Sequence, residues 1–213
     1  DANVNGTGTN AGGLFATLMN GSTVVSTTAV SSGGAYSFSG VNAGSYTVVL
    51  STTSGGTSAS LPTNWVNTGE DCCDNTGNDG TANGVVAVTV STTNVTNANF
   101  GIEQLPNTTG GTAASVVNPG GTVSQTVPAA TFATTDPDGG TVTSIRITAF
   151  PSNATSITIN GTTYTSSTFP VGGVTVPVTS GLPTQTISVD PSGGAINKKK
   201  TFAAIDNAGK EDP

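Results

Sequence analysis

The chain lacks histidine and is poor in charged and aromatic side chains. None of its 213 residues is His, 8% are Asp, Glu, Lys or Arg, and 5% are aromatic, whereas an average globular protein carries roughly 25% charged residues. Without His, no Ser-His or Cys-His nucleophilic pair can form within the chain. No Gly-rich phosphate-binding loop with a Lys is present, and the three Glu residues fall in predicted loops or termini without an aromatic sugar platform. We therefore expect no enzyme.

Basic side chains are missing from the first half. The first Lys or Arg is Arg146, and the whole chain has a formal charge of −7. Residues 1–105 carry six acidic side chains, Asp1, Glu70, Asp71, Asp74, Asp79 and Glu103. Nucleic acids and anionic lipids attract basic surfaces, so this excess argues against both as partners. The same excess permits the binding of cations.

No apolar run reaches the roughly 18 residues that suggest a membrane-spanning helix, and no secretory leader is visible. We expect no membrane insertion in this segment. The first residues resemble the interior of a repeat, so we expect a piece of a longer mature protein, and the composition favours an extracellular location.

Gly, Thr, Ser, Asn and Val take the place of the missing charges. Abundant Val, Ile and Thr with few charges is the opposite of a disordered composition. Period-2 alternation recurs along the chain and helical periodicity does not. Short strands separated by turn residues predict an all-β protein of tandem Ig-like (Greek-key) β-sandwich modules, and the length suits two modules of roughly 100 residues.

The first half contains about seven predicted strands. “GLFATLM” and “STVVSTTAV” flank the turn “NGS”. Residues 36–38 and 46–50 alternate on either side of “SGVNAGS”, which predicts a hairpin. Further alternating positions are Val86, Val88, Val90, Phe100 and Ile102.

A stretch rich in Pro, Gly, Asn and Thr follows, “EQLPNTTGGTAASVVNPGG”, and predicts a boundary near Leu105. We assign residues 1–104 to one β-sandwich and residues 105–213 to a second. Alternation resumes at Ile145, Ile147, Ile157, Ile159, Val174, Val176, Val178, Ile187 and Val189, with a last strand in “KTFAAI”. Pro177 within one of these runs predicts an edge strand.

The first half resembles the B-type repeats of serine-aspartate surface adhesins, which belong to the Cna-B-like group. The resemblance rests on “DANVNGTG”, “GAYSFSGVNAGSYTV” and the closing “VTNANFGI”, and covers residues 1–103. “LPTNWVNTGE” is similar to repeats in very large secreted adhesins of gliding Bacteroidota. The second half, with “TTDPDGGTVTSIRI” and “FAAIDNAGKEDP”, resembles the Ig- or cadherin-like repeats of those proteins.

The resemblance implies tandem modules on a cell surface or in an extracellular fibre. Many Cna-B-like domains carry a Lys–Asn isopeptide bond, but the absence of Lys from residues 1–105 excludes one within the first domain. In the second half the run Lys198, Lys199 and Lys200 is interpreted as a solvated strand end. A pairing of this run with the acidic first domain of a neighbouring copy is a hypothesis from charge alone.

Four segments carry the pattern of a calcium loop, in which hard oxygen donors lie close to turn-forming Gly. “DANVNG” offers Asp1, Asn3 and Asn5, and the serine-aspartate repeats that it resembles bind calcium at a similar start. “GEDCCDNTGNDG” gathers Glu70, Asp71, Asp74, Asn78 and Asp79 with no cationic side chain in the same half. “DPDGG” offers Asp136 and Asp138, and “DNAGKED” offers Asp206, Asn207, Glu211 and Asp212.

Each of these segments also suits an ordinary polar turn or a solvated acidic loop. We expect structural Ca²⁺ at the first two segments and leave the two segments of the second half open between an ion site and a turn.

Cys72 and Cys73 are adjacent and cannot link distant strands to each other. They form a vicinal disulfide, bridge to another subunit or stay reduced; the sequence leaves these alternatives open.

We expect a structural repeat module of a secreted bacterial adhesin or filament that presents or spaces adhesive regions. Its expected partners are other copies or neighbouring repeats. The alternative is a carbohydrate- or matrix-binding module, for which Trp65, the one Trp, is the candidate contact.

Overall fold

The computed structural model describes residues 7–73, 79–109, 121–192 and 201–212. Within these ranges the chain consists of β-strands, turns and one short 3-10 helix, Ala129–Phe132, so the all-β prediction is confirmed. All the strand pairs described are antiparallel. The chain divides into two compact units, residues 1–104 and 105–213.

The first unit has six strands in its described residues. They are β1 (Phe15–Asn20), β2 (Thr23–Ala29), β3 (Gly44–Ser51), β4 (Trp65–Cys72), β5 (Val85–Val90) and β6 (Ala98–Gln104). Four of them form a sheet in the order β2-β1-β3-β5, and β4 pairs with β6 separately. Glu70 and Glu103 therefore lie on strands, which corrects the prediction that the Glu residues occupy loops or termini.

The core of this unit follows the period-2 alternation of the sequence. Tyr46, Val48 and Leu50 on β3 are buried together with Val86 and Val88 on β5. Side chains from the β4–β6 pair, Phe100 and Ile102 among them, pack against this cluster. Alternate residues of a strand face the same side, so one face of the sheet supplies most of the apolar surface.

The turn between β1 and β2 is the one predicted from “NGS”. Asn20 pairs with Thr23, and Gly21 takes a left-handed conformation with φ of 57°, which Gly adopts without a steric penalty. The pairing register shifts between Leu18 and Met19, so the hairpin carries an irregularity that the alternation did not indicate.

The predicted hairpin around “SGVNAGS” is wrong in its first arm. Residues 35–39 form no strand, although Tyr36 and Phe38 pack against the core. The Tyr36 hydroxyl donates a hydrogen bond of 2.6 Å to the carbonyl oxygen of Ala98 at the start of β6. These aromatic side chains therefore fill the core from an irregular segment instead of from a ladder.

The second unit has ten strands in its described residues. They are β7 (Asn107–Thr108), β8 (Gln125–Thr126), β9 (Thr134–Thr135), β10 (Val142–Ile147), β11 (Ala154–Ile159), β12 (Thr162–Tyr164), β13 (Val174–Thr179), β14 (Leu182–Pro183), β15 (Ile187–Pro191) and β16 (Phe202–Asp206). Two four-stranded sheets have the orders β14-β13-β10-β16 and β12-β11-β15-β8, and β7 pairs with β9.

The two four-stranded sheets share one hydrophobic cluster. Ile145 and Val176 come from the first sheet, Ile157 and Val189 come from the second, and all four are almost fully buried. Phe132, from the short 3-10 helix, joins the same cluster. The predicted alternation therefore identifies the inward-facing residues of both layers.

Pro177 does not lie on an edge strand, contrary to the prediction. Strand β13 has β10 on one side and the two-residue strand β14 on the other. The carbonyl oxygen of Pro177 accepts a hydrogen bond of 3.0 Å from the backbone N–H of Thr184, just beyond β14. Because N–H and C=O of one residue point to the same side of an antiparallel strand, the ladder with β10 loses no donor.

Replacing Tyr36 by Phe removes the hydroxyl that joins the irregular segment to β6. We expect the Tyr36→Phe change to lower the free energy of unfolding of the first unit by about 1 kcal/mol, the net value of one buried hydrogen bond. Chemical denaturation followed by the fluorescence of Trp65, the one Trp of the chain, reports this unit. Tyr164→Phe removes a hydroxyl from the second unit and serves as the control. An unchanged midpoint in Tyr36→Phe would contradict the assignment.

Candidate cation sites

The predicted calcium ligands fall partly outside the described residues. Asp1, Asn3 and Asn5 do so, and so do Asp74 and Asn78 of “GEDCCDNTGNDG”. The same holds for Lys198, Lys199 and Lys200. The structure therefore describes Glu70, Asp71 and Asp79 in the first unit. In the second unit it describes all the predicted ligands, Asp136, Asp138, Asp206, Asn207, Glu211 and Asp212.

Glu70 lies on β4 with its side chain fully buried. Its carboxylate accepts hydrogen bonds from the backbone N–H groups of Asn83, at 3.0 and 3.1 Å, and of Gly84. Burial raises the pKa of Glu70, while these backbone hydrogen bonds lower it. The carboxylate thus fixes the turn that leads into β5.

Gly84 is required at this turn for two reasons. Its φ of 75° lies in the left-handed region, and a Cβ there would stand 2.7 Å from the Cβ of Ala59, closer than real contacts allow. The Asn83 side-chain oxygen in turn accepts the N–H of Val85 at 2.8 Å. The dipeptide Asn83–Gly84 is therefore the sequence signal for this turn, and its link to Glu70 is the part that the sequence does not show.

Asp71 and Asp79 are the other two described acidic residues of this segment, and the carboxylate of Asp79 raises the pKa of Glu70 slightly further. Asp71 is buried and follows Glu70 on β4, and neighbouring residues of a strand face opposite ways. Asp79 is exposed, and its backbone N–H donates a hydrogen bond of 2.7 Å to the carbonyl oxygen of Glu70. A calcium site in this loop stays a prediction, and it depends on Asp71, Asp79 and residues outside the described ranges.

Cys72 and Cys73 are joined by a disulfide at the end of β4. Cys72 packs against the core of the first unit, and Cys73 has a φ of 101°. The disulfide therefore lies at the C-terminal end of β4.

In the second unit, four of the predicted ligands come together where β10 begins and β16 ends. Val142 of β10 pairs with Asp206 of β16, and the turn of residues 136–140 precedes β10. The Asn207 side-chain oxygen accepts the backbone N–H of Thr141 at 2.8 Å, while Asp138 accepts that of Gly140 at 3.2 Å. Pairing of two strands that are distant in sequence thus joins “DPDGG” to “DNAG”.

The carboxylates of this group affect one another. Burial, together with the neighbouring carboxylates of Asp138 and Asp206, raises the pKa of Asp136 to about 6. The Asp206 oxygen Oδ1 accepts the backbone N–H groups of Ala208 and Lys210, both at 2.8 Å. Asp206 therefore stabilises the turn after β16 through Oδ1, and its charge also acts on the carboxylate of Asp136.

Glu211 and Asp212 are engaged elsewhere. Glu211 forms an ion pair with Arg146 of β10, with 2.9 Å between the Arg146 Nε and the Glu211 Oε1. Asp212 accepts the backbone N–H of Thr108 at 2.9 Å through Oδ2. Of the four residues predicted from “DNAGKED”, Asp206 and Asn207 thus remain ligand candidates, whereas Glu211 and Asp212 make structural contacts.

Asp190 was not predicted as a candidate and is also buried. Its Oδ1 accepts the backbone N–H of Val123 at 3.2 Å, so it links β15 to the segment before β8. No signal in the sequence distinguishes it from a turn aspartate, because its partner lies far away in the chain.

Across the described ranges, no three His, Cys, Asp or Glu side chains are already gathered in the geometry of a metal site. The same ranges contain no helix long and apolar enough to cross a bilayer. Comparison of the chain with protein-family models, with curated proteins and with solved structures gave no significant match.

Replacing Glu70 by Gln tests its role in the turn before β5. The amide places an N–H₂ group against backbone donors, so we expect a loss of roughly 1.5–3 kcal/mol in the stability of the first unit. Trp65 fluorescence in urea measures this change. Glu103→Gln, a half-buried position on the paired strand β6, is the matched control. An unchanged stability combined with the loss of a calcium response would instead make Glu70 a metal ligand.

Proposed function

We propose that the chain is a structural repeat module of a secreted bacterial cell-surface adhesin or extracellular filament. The observation that carries this proposal is the division into two compact all-β units, each with its own hydrophobic cluster. Units of this kind can each fold independently and can follow one another along a chain. The few charges and the resemblance to adhesin repeats support the same role.

Both units are proposed to be Ig-like sandwiches. In the second unit, two four-stranded antiparallel sheets that share one core support this assignment. In the first unit, the sheet β2-β1-β3-β5 covered by the β4–β6 pair is the corresponding arrangement. Sandwiches of this type recur in cell-surface proteins that differ widely in sequence.

The proposed partners are other copies or neighbouring repeats of the same protein. Strand β2 lies at an edge of its sheet, and Val24 and Val25 on it are 41% and 47% exposed. Edge strands with exposed apolar side chains are a common place for contact with another chain. Calcium is proposed as a structural stabiliser of the loops, without a role in catalysis.

Pulling on the two ends of the chain tests the proposed spacer role. We expect two separate unfolding events, each lengthening the chain by about 35 nm, because roughly 100 residues extend by about 3.4 Å each. Single-molecule force measurements on the chain between inert handles give the event count and the length gains. One low-force event, or extension without a force peak, would contradict a spacer of two independent units.

The location is tested separately on the cells that produce the protein. We expect antibodies raised against the chain to label unpermeabilised cells or shed fibres, and external protease to remove the label. Labelling only after permeabilisation would overturn the surface assignment while leaving the force result intact.

A lectin-like module is the second candidate, and Trp65 is the observation that favours it. This side chain is half-buried at the start of β4 and is not among the residues packed against the core of the first unit. If it contacts sugar, binding on a glycan array should be lost in Trp65→Ala and retained in Tyr164→Phe. Absence of glycan binding by the unaltered chain would remove this candidate.

A further inference from the structure

Two buried carboxylates of the second unit have oxygens without a hydrogen-bond partner. Asp206 is 1% exposed, and its Oδ2 has no partner, although Oδ1 has two. Both side-chain oxygens of Asp136 are buried and make no hydrogen bond of ordinary geometry, although the backbone N–H of Asp138 lies close enough to favour the charged form of Asp136. Burying an ionised carboxylate is strongly unfavourable unless a donor or a cation compensates it.

Gly140 leaves open the space between two of the oxygens. A Cβ on Gly140 would lie 2.6 Å from the Oδ2 of Asp136 and 2.9 Å from the Oδ1 of Asn207. These oxygens therefore approach the same point from two segments of the chain. Gly140 does not have a left-handed φ, so the turn itself does not require a glycine there.

Asp136 and Asp206 form no salt bridge with a Lys or Arg side chain in the described part of the chain. The ion pair there joins Arg146 to Glu211, and the contacts of Asp206 with residue 210 involve the backbone N–H of Lys210. Three carboxylates, of Asp136, Asp138 and Asp206, thus lie close enough for the latter two to repel the charge on the first. A bound cation would relieve that repulsion.

We propose that Asp136, Asp206 and Asn207 form a site for a hard divalent cation, with Asp138 as a fourth contributor. The donors are carboxylate and amide oxygens, which suit Ca²⁺ and Mg²⁺. They do not favour zinc, because zinc sites in proteins are usually built with His nitrogen or Cys sulfur ligands. The set is irregular and comes from two loops, so it suits the flexible coordination of Ca²⁺ better than the octahedral geometry of Mg²⁺. Calcium is therefore the ion that this site selects.

The cation completes the arrangement of the carboxylates. As they stand, no three acidic side chains of the described residues are gathered in ligand geometry, since like charges keep apart. Binding draws Asp138 and the Oδ2 side of Asp206 towards Asp136, and water supplies the remaining ligands, as is usual for calcium loops. The result is a bridge between the turn before β10 and the end of β16.

Calorimetry of the full chain tests this site, which deepens the proposed calcium stabilisation and rests on it. Trp65 belongs to the first unit, so its fluorescence assigns one thermal transition, and the other transition reports the second unit. We expect Ca²⁺ to raise the midpoint of the second unit relative to EDTA, because a ligand that binds only the folded state stabilises it by mass action. Isothermal titration gives the stoichiometry and the dissociation constant.

Four variants separate ion binding from folding. Gly140→Ala fills the space between the Asp136 and Asn207 oxygens, and Asp206→Asn removes a charge while retaining Oδ1 as an acceptor. Each should weaken Ca²⁺ binding at least tenfold. Asp136→Asn should raise the midpoint of the second unit in EDTA, because repulsion falls, and lower it relative to the unaltered chain in Ca²⁺. Glu211→Gln, outside the site, should bind Ca²⁺ as the unaltered chain does.

The outcomes are distinguishable. The proposal is overturned if the second unit shows no calcium-dependent shift, or if Gly140→Ala and Asp206→Asn bind Ca²⁺ with unchanged affinity. A shift confined to the first unit overturns this site and points to the loop around Asp71 and Asp79. If neither thermal transition shifts with Ca²⁺, the proposal of calcium stabilisation is rejected for both units. The proposed cell-surface role is tested separately by the labelling experiment.

Discussion

A buried carboxylate in a chain with almost no cationic side chains must find its compensation elsewhere. Five Lys and Arg residues in 213 cannot pair with twelve acidic ones, so backbone N–H groups take their place. Glu70 accepts from the turn before β5, Asp206 from the turn after β16, and Asp190 from the segment before β8. The contacts of Glu70 and Asp190 join strands to segments 13 and 67 residues away, whereas those of Asp206 stay within its own turn. Acidic side chains thus connect strands and turns by accepting backbone N–H groups, whereas the Oδ2 of Asp206 and both oxygens of Asp136 make no such hydrogen bond of ordinary geometry.

The sequence predicts the strands and the core well, because both follow from local alternation. Val86 and Val88, Ile145 and Ile147, and the “NGS” turn fall where the pattern predicts them. Tyr36 and Phe38 alternate equally well but form no ladder. A single pair of alternating aromatic residues suits a strand or an extended segment that packs on the core, and tertiary contact with Ala98 and Phe100 decides between them.

The candidate site shows the limit of local patterns more clearly. “DPDGG” and “DNAG” each suggest an ion or a turn, and they lie more than 60 residues apart. Their meeting depends on the pairing of β10 with β16 and on its register at Val142 and Asp206. The same pairing sets Arg146 opposite Ala203 of β16, and Glu211 forms a bridge with Ile205 of that strand. Glu211 therefore forms an ion pair with Arg146 and is not part of the acidic group. Spacing in the chain carries no information on this division of roles.

The hydrogen bond between Thr108 and Asp212 places the two ends of the second unit beside each other, although 104 residues separate them. The path of the chain through this unit is therefore nearly a closed ring. A short linker between these ends would complete it, and the chain could then be opened at an exposed turn such as the one at Val171–Gly172. Units with adjoining ends tolerate such circular permutation, and they can also be inserted into a loop of another domain. The architecture of the second unit is thus defined by which strands pair, more than by the order of those strands in the sequence.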